Sequence, residues 1–392
     1  MNPVLFIAIK EISKHKLKTS LIVFAVSLGV ISMVWSNAFM KGMGDEFKVK
    51  TIDIWTSHIQ VLPQEGKDYV EKAESKKRMI ERIPGVSGVS LRVEDQILMS
   101  SEKKRKEAQL LAVEPKSEQT VTFLHENITS GKFLRDNDKN KVILGERLAD
   151  DLGVNVGKTV SIVFSNGISK DFKVIGLFRS GFYEFDTAFA VIPYEDALSS
   201  LGERNMASSI VVRLVEEEET DEAVIRIKQI IPQDDVKTWK ELSWYVELLL
   251  QSQEMLNVWV VFFILITAGF SMGSAMVIKV SGRIKYIGMM KSIGARRSFI
   301  LKNYLLQAAL IGLFGGILGD LLGYLTVLEW KAREIVIEGA EEVYGVASFP
   351  VKLEPQVLVY GPIFAIIACS LSALYPAWKA SKLDVVEAVR HA

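Results

Sequence analysis

The chain has 392 residues, of which 49% are hydrophobic and 24% charged, with 47 Lys and Arg against 47 Asp and Glu. Mean hydropathy is +0.22, and so high an average beside so many charges means that apolar and soluble-type stretches alternate along one chain. Collagen, a coiled coil, simple disorder and an ordinary cytosolic enzyme are excluded, and a net charge of zero gives no reason to expect a nucleic-acid partner.

Residues 1–18 carry Lys10, Lys14, Lys16 and Lys18 against Glu11 alone, and Leu5, Ile9 and Ile12 share one helical face. That pattern predicts an amphipathic helix lying on the inner leaflet. Residues 19–40 have no charge and are long enough to cross a hydrocarbon core about 30 Å thick as a helix. The basic lead and Ser36-Asn37-Ala38 have the outline of a secretory signal, but lead and apolar stretch are both too long, so a retained span is expected.

Residues 41–254 form a block large enough for its own core. Alternating or β-branched runs at His58–Leu62, Ser87–Val93, Gln109–Val113, Thr159–Phe164, Phe172–Phe178, Ala188–Ile192 and Ser209–Leu214 predict strands. Helices are predicted over Lys67–Ile83, Glu146–Leu152, Tyr194–Leu201 and Thr220–Ile231, giving an α+β domain. From about Lys240 helical periodicity is expected to run unbroken into the second span, making Glu241–Gln253 a stalk.

Several features of this block imitate functional motifs. Gly153–Thr159 resembles a phosphate loop but has three residues between its glycines and a strand-like run behind it, where the loop needs four and a helix; a turn is expected. Lys103–Lys106, between two apolar runs, reads as a hairpin tip. Glu216–Glu219 complements the dipole of the helix it precedes. Asn127-Ile128-Thr129 fits the glycosylation sequon, a triplet common by chance. No nucleophile elbow, zinc motif or paired carboxylates occur, so no catalytic residue is expected. The histidines (His15, His58, His125, His391) are scattered and the one cysteine, Cys369, lies in the last apolar stretch, so neither a metal nor a cofactor site nor an internal disulfide is expected.

Three more apolar stretches follow: 255–278, 303–328 (interrupted only by Asp320) and 356–378. The connector 279–302 carries Lys279, Arg283, Lys285, Lys291, Arg296, Arg297 and Lys302 with no acid; 329–355 carries Lys331, Arg333 and Lys352 against Glu329, Glu334, Glu338, Glu341, Glu342 and Glu354. The positive-inside rule then puts both termini, including the tail 379–392, and the 279–302 connector in the cytoplasm, with 41–254 and 329–355 outside. Trp35, Trp259 and Trp330 fall near outer span ends and Trp378 near an inner one, as an interfacial belt requires. The expected fold is an α-helical membrane protein with four transmembrane helices (one plus three) and a large α+β extracytoplasmic domain between the first and second. It would sit in the cell (inner or cytoplasmic) membrane.

Within the third span, Gly312, Gly315, Gly316, Gly319 and Gly323 form a small-residue stripe for close helix packing, inside the chain or against another subunit. Asp320 would cost about 2.5–3.5 kcal/mol at the bilayer centre, and less near the outer surface, where the span length puts it. Pro362 with Gly361 is expected to kink or begin the last helix and Pro376 to help end it. In the connector, Ile284, Ile287, Met290 and Ile293 recur at helical spacing, interrupted by Gly288 and Gly294-Ala295. A short basic helix of this kind suits either a lipid-headgroup anchor or a knob for the groove of a cytoplasmic partner.

Lys285–Arg297 (KYIGMMKSIGARR), with the glycine-rich span behind it, resembles the coupling-helix signature of MacB/FtsX-type ABC transporter permeases. Tyr375–Arg390 (YPAWKASKLDVVEAVR) is similar to that family's closing motif, and Val142–Gly157 (VILGERLADDLGVNVG) to part of its outer domain. Ser180–Ala188 (SGFYEFDTA) leans towards the lipoprotein-releasing LolC/LolE branch. Tyr286 stands where the family usually has Glu, and Val385 where Pro is common. The resemblance implies a half-transporter with no nucleotide-binding motif of its own. A separate cytoplasmic ATPase, holding ATP and magnesium, would dock on Ile284, Ile287, Gly288, Lys291, Ser292, Ile293, Gly294 and Ala295. A second permease chain, identical or related, would complete the pair among membrane lipids, and the outer domain would handle an extracytoplasmic substrate: a lipoprotein, lipid, peptide or other envelope molecule. The alternative is a membrane-anchored extracytoplasmic sensor or scaffold without ATPase coupling, for which the 379–392 tail is too short an output module. An anchored enzyme would need a catalytic constellation that the sequence lacks.

Overall fold

The structure, a computed structural model, describes residues 3–14, 16–102, 104–202, 205–333 and 349–383. Expectations for most of the 329–355 connector, for the end of the tail and for Lys103 therefore lie outside the described residues. The chain forms two compact units: Asp45–Leu249, and the described residues before and after it.

The chain opens with α1 (Pro3–Lys14) and α2 (Lys16–Lys50), which ends in a π-helical turn, Thr51–Thr56. α1 packs its other side against the rest of the chain, leaving Ile9 of the face expected on the inner leaflet exposed. Ala8 and Glu11 face inward, while Phe6 and Ile9 are exposed. The lone acid of the lead is thus a buried group, and the reason appears in the site described below.

The α+β unit runs β1 (Ile59–Leu62), β2 (Val70–Glu71), α3 (Ala73–Ile80), β3 (Val86–Ser100), β4 (Arg105–Val113), α4 (Pro115–Val121), β5 (Ile128–Gly131), β6 (Lys141–Gly145), α5 (Glu146–Leu152), β7 (Thr159–Val163) and β8 (Ser169–Phe178). It continues through α6 (Tyr183–Ala188), β9 (Phe189–Pro193), α7 (Tyr194–Leu201), β10 (Met206–Ala207), β11 (Ser209–Leu214), α8 (Thr220–Ile230), β12 (Asp235–Thr238) and α9 (Trp239–Leu242). The main sheet has the order β12-β1-β11-β3-β4-β9-β6-β8-β5, with β7 paired to both β3 and β8. That double pairing closes β3, β4, β9, β6, β8 and β7 into a ring. Pairings β4–β9 and β6–β8 are parallel; the other pairings of the ring are antiparallel.

Strand alternation supplies two cores. Leu110 and Ala112, Val142 and Leu144, Ala190 and Ile192 enter the larger cluster, whereas Leu111 and Val113, Ile143 and Val191 enter a second one. With both faces buried, these strands read as continuous apolar runs. The helix expected over Lys67–Ile83 shrinks to α3, because Gly66 and Lys72 have φ of 84° and 54° and β2 lies between them. Conversely, β3 extends past Val93 through Glu94, Asp95 and Gln96, polar residues that face outward or partly so where β3 pairs with β4 alone, between its pairings with β11 and β7. Gly153 and Gly157 have φ of 68° and 96°, and Thr159 begins β7, so the loop-like motif is a turn.

Inside this unit Arg92 and Glu118 are fully buried together. The carboxylate accepts from Arg92 Nε at 3.2 Å, Ser90 Oγ at 2.8 Å and Thr122 Oγ1 at 2.7 Å, and Arg92 also donates to the Trp55 carbonyl. Burial pushes the Glu118 carboxyl up, but the Arg92 charge and these donors outweigh it and hold the group below its ordinary value. His58, also buried, accepts the Leu214 N–H on Nδ1 at 3.0 Å. Burial and the Arg213 charge hold its imidazole below 6.5.

After a capping box in which Thr238 and Glu241 satisfy each other's backbone N–H, α9 ends at Ser243. The expected uninterrupted helix is therefore broken there, and α10 (Trp244–Ser281) starts afresh. It is followed by α11 (Ile284–Ser292), α12 (Arg297–Arg333) and α13 (Val357–Lys382). Among the described residues, four helices (α2, α10, α12 and α13) are long and apolar enough to cross a membrane. Both Pro362 and Pro376 lie inside α13, so Pro376 does not end it. A proline removes one donor and crowds one carbonyl, and here the following turn is held by Ala377 and Ala380, both fully buried against neighbouring helices.

Candidate functional site

The acid-free connector folds as a corner. α10 stops at Ser281, α11 spans Ile284–Ser292, and Gly294, at φ 98°, lets the chain turn before α12 starts at Arg297. Ile287 and Gly288 are buried and anchor α11. Met289 and Ile293 are exposed at 51% and 81%, Ser292 and Gly294 are exposed, and Ile284, Lys291 and Ala295 are half-buried. Lys291 Nζ donates to the Leu383 carbonyl, tying α11 to the end of α13. A shallow depression of about 680 Å³ adjoins the corner, lined by residues that include Met290, Ile293, Gly294, Ala295 and Phe299. The expected docking residues thus divide into an inward set that fixes the helix and an outward set around Ile293.

Behind the corner lies a polar network that the sequence reading did not find. Glu11 Oε1 is 2.8 Å from Arg283 Nη1, and Glu11 Oε2 accepts from Gln307 Nε2 at 2.7 Å. Gln307 Oε1 in turn accepts from Lys279 Nζ. Glu11, at 6% exposure, and Gln307, at 0%, are buried. The network joins α1, the end of α10 and α12 at the base of α11. Its only sequence signal was an isolated acid in a basic lead, facing a connector with no acid.

The glycine stripe is two-sided. A Cβ on Gly312 would lie 2.6 Å from the Ala365 carbonyl oxygen, and one on Gly316 would lie 2.5 Å from Pro362 Cα, both in α13. On the other side, a Cβ on Gly315, Gly319 or Gly323 would lie 2.7, 2.6 or 3.0 Å from Val26, Val30 or Val34 of α2. α12 is thus clasped between α13 and α2 at backbone distance, the arrangement that small residues permit in apolar surroundings. Asp320, on this helix, is buried beside Gly361, and neither carboxylate oxygen has a hydrogen-bond partner among the described residues. Near the far end of α12 Trp35 Nε1 donates to Thr326 Oγ1 at 2.9 Å and meets Trp330 edge-on. Among the described residues no group of His, Cys, Asp and Glu could hold a metal ion.

Comparison with known proteins gives this arrangement its relatives. The MacB-like periplasmic core domain family matches residues 19–230, and the FtsX-like permease C-terminal family matches residues 258–385. The chain is 23% identical over 390 residues to the lipoprotein-releasing system transmembrane protein LolC of Xylella fastidiosa strain 9a5c, covering 94% of this chain and 92% of that one. Identity to the uncharacterized ABC transporter permease MJ1507 of Methanocaldococcus jannaschii is 22%, over 100% of this chain and 98% of the other. Identity to the macrolide export ATP-binding/permease protein MacB of Campylobacter jejuni is 24%, over 98% of this chain but 60% of that longer protein. The two family matches take in most of the α+β unit, α2 and the corner with α12 and α13, and by them the chain belongs to the ABC transporter permeases of the MacB/LolC type.

Proposed function

We propose that this chain is the permease subunit of an ABC transporter whose ATPase is a separate cytoplasmic protein, docking on the outward side of the α11 corner. The Asp45–Leu249 unit would lie outside the cell membrane, with both termini in the cytoplasm, and would act on an envelope substrate such as a lipoprotein, lipid or peptide. Two permease chains, identical or related, would work with two ATPase subunits. The reading rests chiefly on the corner itself: a short helix, anchored by Ile287 and Gly288, holds Met289 and Ile293 outward in a segment with seven cations and no acid. Exposed apolar residues on a rigid, basic element suit a protein groove better than open water. The given sequence contains no nucleotide-binding motif, in keeping with this reading.

Mechanically, closure of the ATPase pair on ATP would displace α11. The Lys291–Leu383 bond and the Glu11–Arg283–Gln307 network would carry that displacement to α13, α1 and α12. The test is co-purification of the chain with an ATPase encoded beside it, with ATP hydrolysis as the second readout. Ile293→Asp puts a charge into the docking surface without touching the buried set, and a contact residue of this kind is worth about 2 kcal/mol or more, so association should weaken at least about thirtyfold. Failure of the unaltered chain to associate would overturn the proposal in favour of a ligand sensor that works without an ATPase.

A further inference from the structure

Two cavities meet at the junction of α10 and α11, and together they have the chemistry of one ligand. The first, about 700 Å³, lies between α1 and α11. Its lining carries Lys10, Lys14, Arg283 and Lys285, with Phe6 and Tyr286 as its aromatic walls. Glu11 is the one acid of that lining, and both of its oxygens are already engaged, by Arg283 and Gln307. Lys10, Lys14 and Lys285 are exposed at its mouth. The second cavity, about 440 Å³, is a mostly apolar groove along Leu21 and Ile22 of α2 and Met272, Ala275, Met276 and Ile278 of α10; Thr19 and Lys279 also line it, the Lys279 ammonium being engaged by Gln307 Oε1. Gly282 and Arg283 line both, so the basic pocket and the groove adjoin at the α10–α11 junction.

We infer that the two form a site for an anionic phospholipid, with the headgroup phosphate among Lys10, Lys14 and Lys285 and an acyl chain along the α2–α10 groove. Charge complementarity chooses the headgroup: with Arg283 paired to Glu11, three lysines remain in the lining with no further acid beside them. Adjacency chooses the tail, because a free anion would need only the first cavity, whereas a lipid carries its phosphate and its acyl chain on one molecule. Both cavities have the size of ordinary ligand sites. A lipid seated there would touch α1, α10 and α11 together and so bear on the corner from the membrane side. The inference rests on the proposed membrane placement, with this end of the bundle at the inner leaflet.

The experiment needs no ATPase, so its outcome is independent of the docking test. The full-length chain is purified in mild detergent and offered phosphatidylglycerol or phosphatidylcholine of identical acyl chains, and bound lipid is counted by native mass spectrometry. A lysine near an anionic lipid contributes about fivefold to binding, so the triple change Lys10→Ala, Lys14→Ala, Lys285→Ala should lower phosphatidylglycerol binding by about a hundredfold, to the level of phosphatidylcholine. Ala275→Trp, which fills the groove, should lower binding of both lipids, and an excess of inorganic phosphate should displace neither. Equal binding of the two lipids, or phosphatidylglycerol retained by the triple variant, would sink the inference. Displacement by phosphate would replace it with a simple anion site. A dimer that excludes lipid from the unaltered chain would assign the groove to a second copy instead. Because the lysines are exposed, the triple variant tests the headgroup site even where Ala275→Trp fails to fold.

Discussion

Arg92 and Glu118 lie side by side without solvent, and removing one charge strands the other. Glu118→Gln should destabilise the α+β unit by about 3–5 kcal/mol, whereas the double change to Met and Leu should cost much less or even stabilise; hydrogen exchange of β3 amides in the full-length chain reads both. Acid acts on the same unit through His58 and through carboxylates whose folded values are depressed, Glu118 the most deeply buried among them, with Asp138 and Glu71 also lowered. For His58 the contribution to stability is complete above pH 6.5 and is lost as pH falls below it, because only the unfolded chain then takes up the proton; for Glu118 the loss begins below 4.5. Exchange protection should therefore fall in two steps on acidification. His58→Asn, whose amide oxygen can stand in for Nδ1 towards Leu214, should abolish the first step, and a first step that persists in this variant would remove His58 from the explanation. Neither pair was legible in the sequence, since a charge in a strand such as Arg92, or in a helix such as Glu118, looks like a surface charge until its partner is known. Glu11 shows the same limit: its partner Arg283 lies 272 positions away, and nothing local marks the two as one network.

Helices, by contrast, were written plainly. A stretch of twenty or more residues without a charge has few fates other than a span, since an unpaired ion in hydrocarbon costs several kcal/mol. Their ends were less legible, because proline forbids only one hydrogen bond while packing decides the rest, as α13 shows by running on past Pro376. The glycine stripe was visible as spacing, but its two-sidedness was not, since five small residues do not say which neighbour each one meets. At Gly316 an added side chain meets the backbone of Pro362, which cannot swing away as a flexible side chain would. Gly316→Val should thus separate α12 from α13 and cost more than the roughly 1–3 kcal/mol of ordinary overpacking. Gly273→Ala, whose Cβ would meet its nearest atom at 3.5 Å, should be tolerated. Thermal stability of the two variants in the same detergent distinguishes them, and equal behaviour would contradict the seam.

For the molecule as a whole, α10 is the span whose apolar window is least covered, 12% buried against 44% for α12, and Trp259, Phe263 and Phe270 project from it. If the second permease chain meets this one along α10, Phe270→Cys should form a dimer on mild oxidation. The sole native cysteine, Cys369, is fully buried and should give no background; a monomer under the same conditions would move the contact elsewhere. The alternation of spans with a soluble block was plain from charge alone. The closed strand ring was not, because β7 must find β3 and β8 at once, and such pairings leave no periodic trace in the sequence. One consequence of the two-sided seam concerns the order in which the protein is made. Domains fold as they emerge from the ribosome, N-terminal first, yet the valines of α2 that receive Gly315, Gly319 and Gly323 are synthesised before the whole α+β unit and the glycines after it. The first span therefore waits in the bilayer while that unit is completed, and α12 can be clasped on both sides only once α13, the last described helix, has been inserted. A nascent chain stopped short of Val357 should accordingly be cut by proteases within its helices while its Asp45–Leu249 unit already resists them.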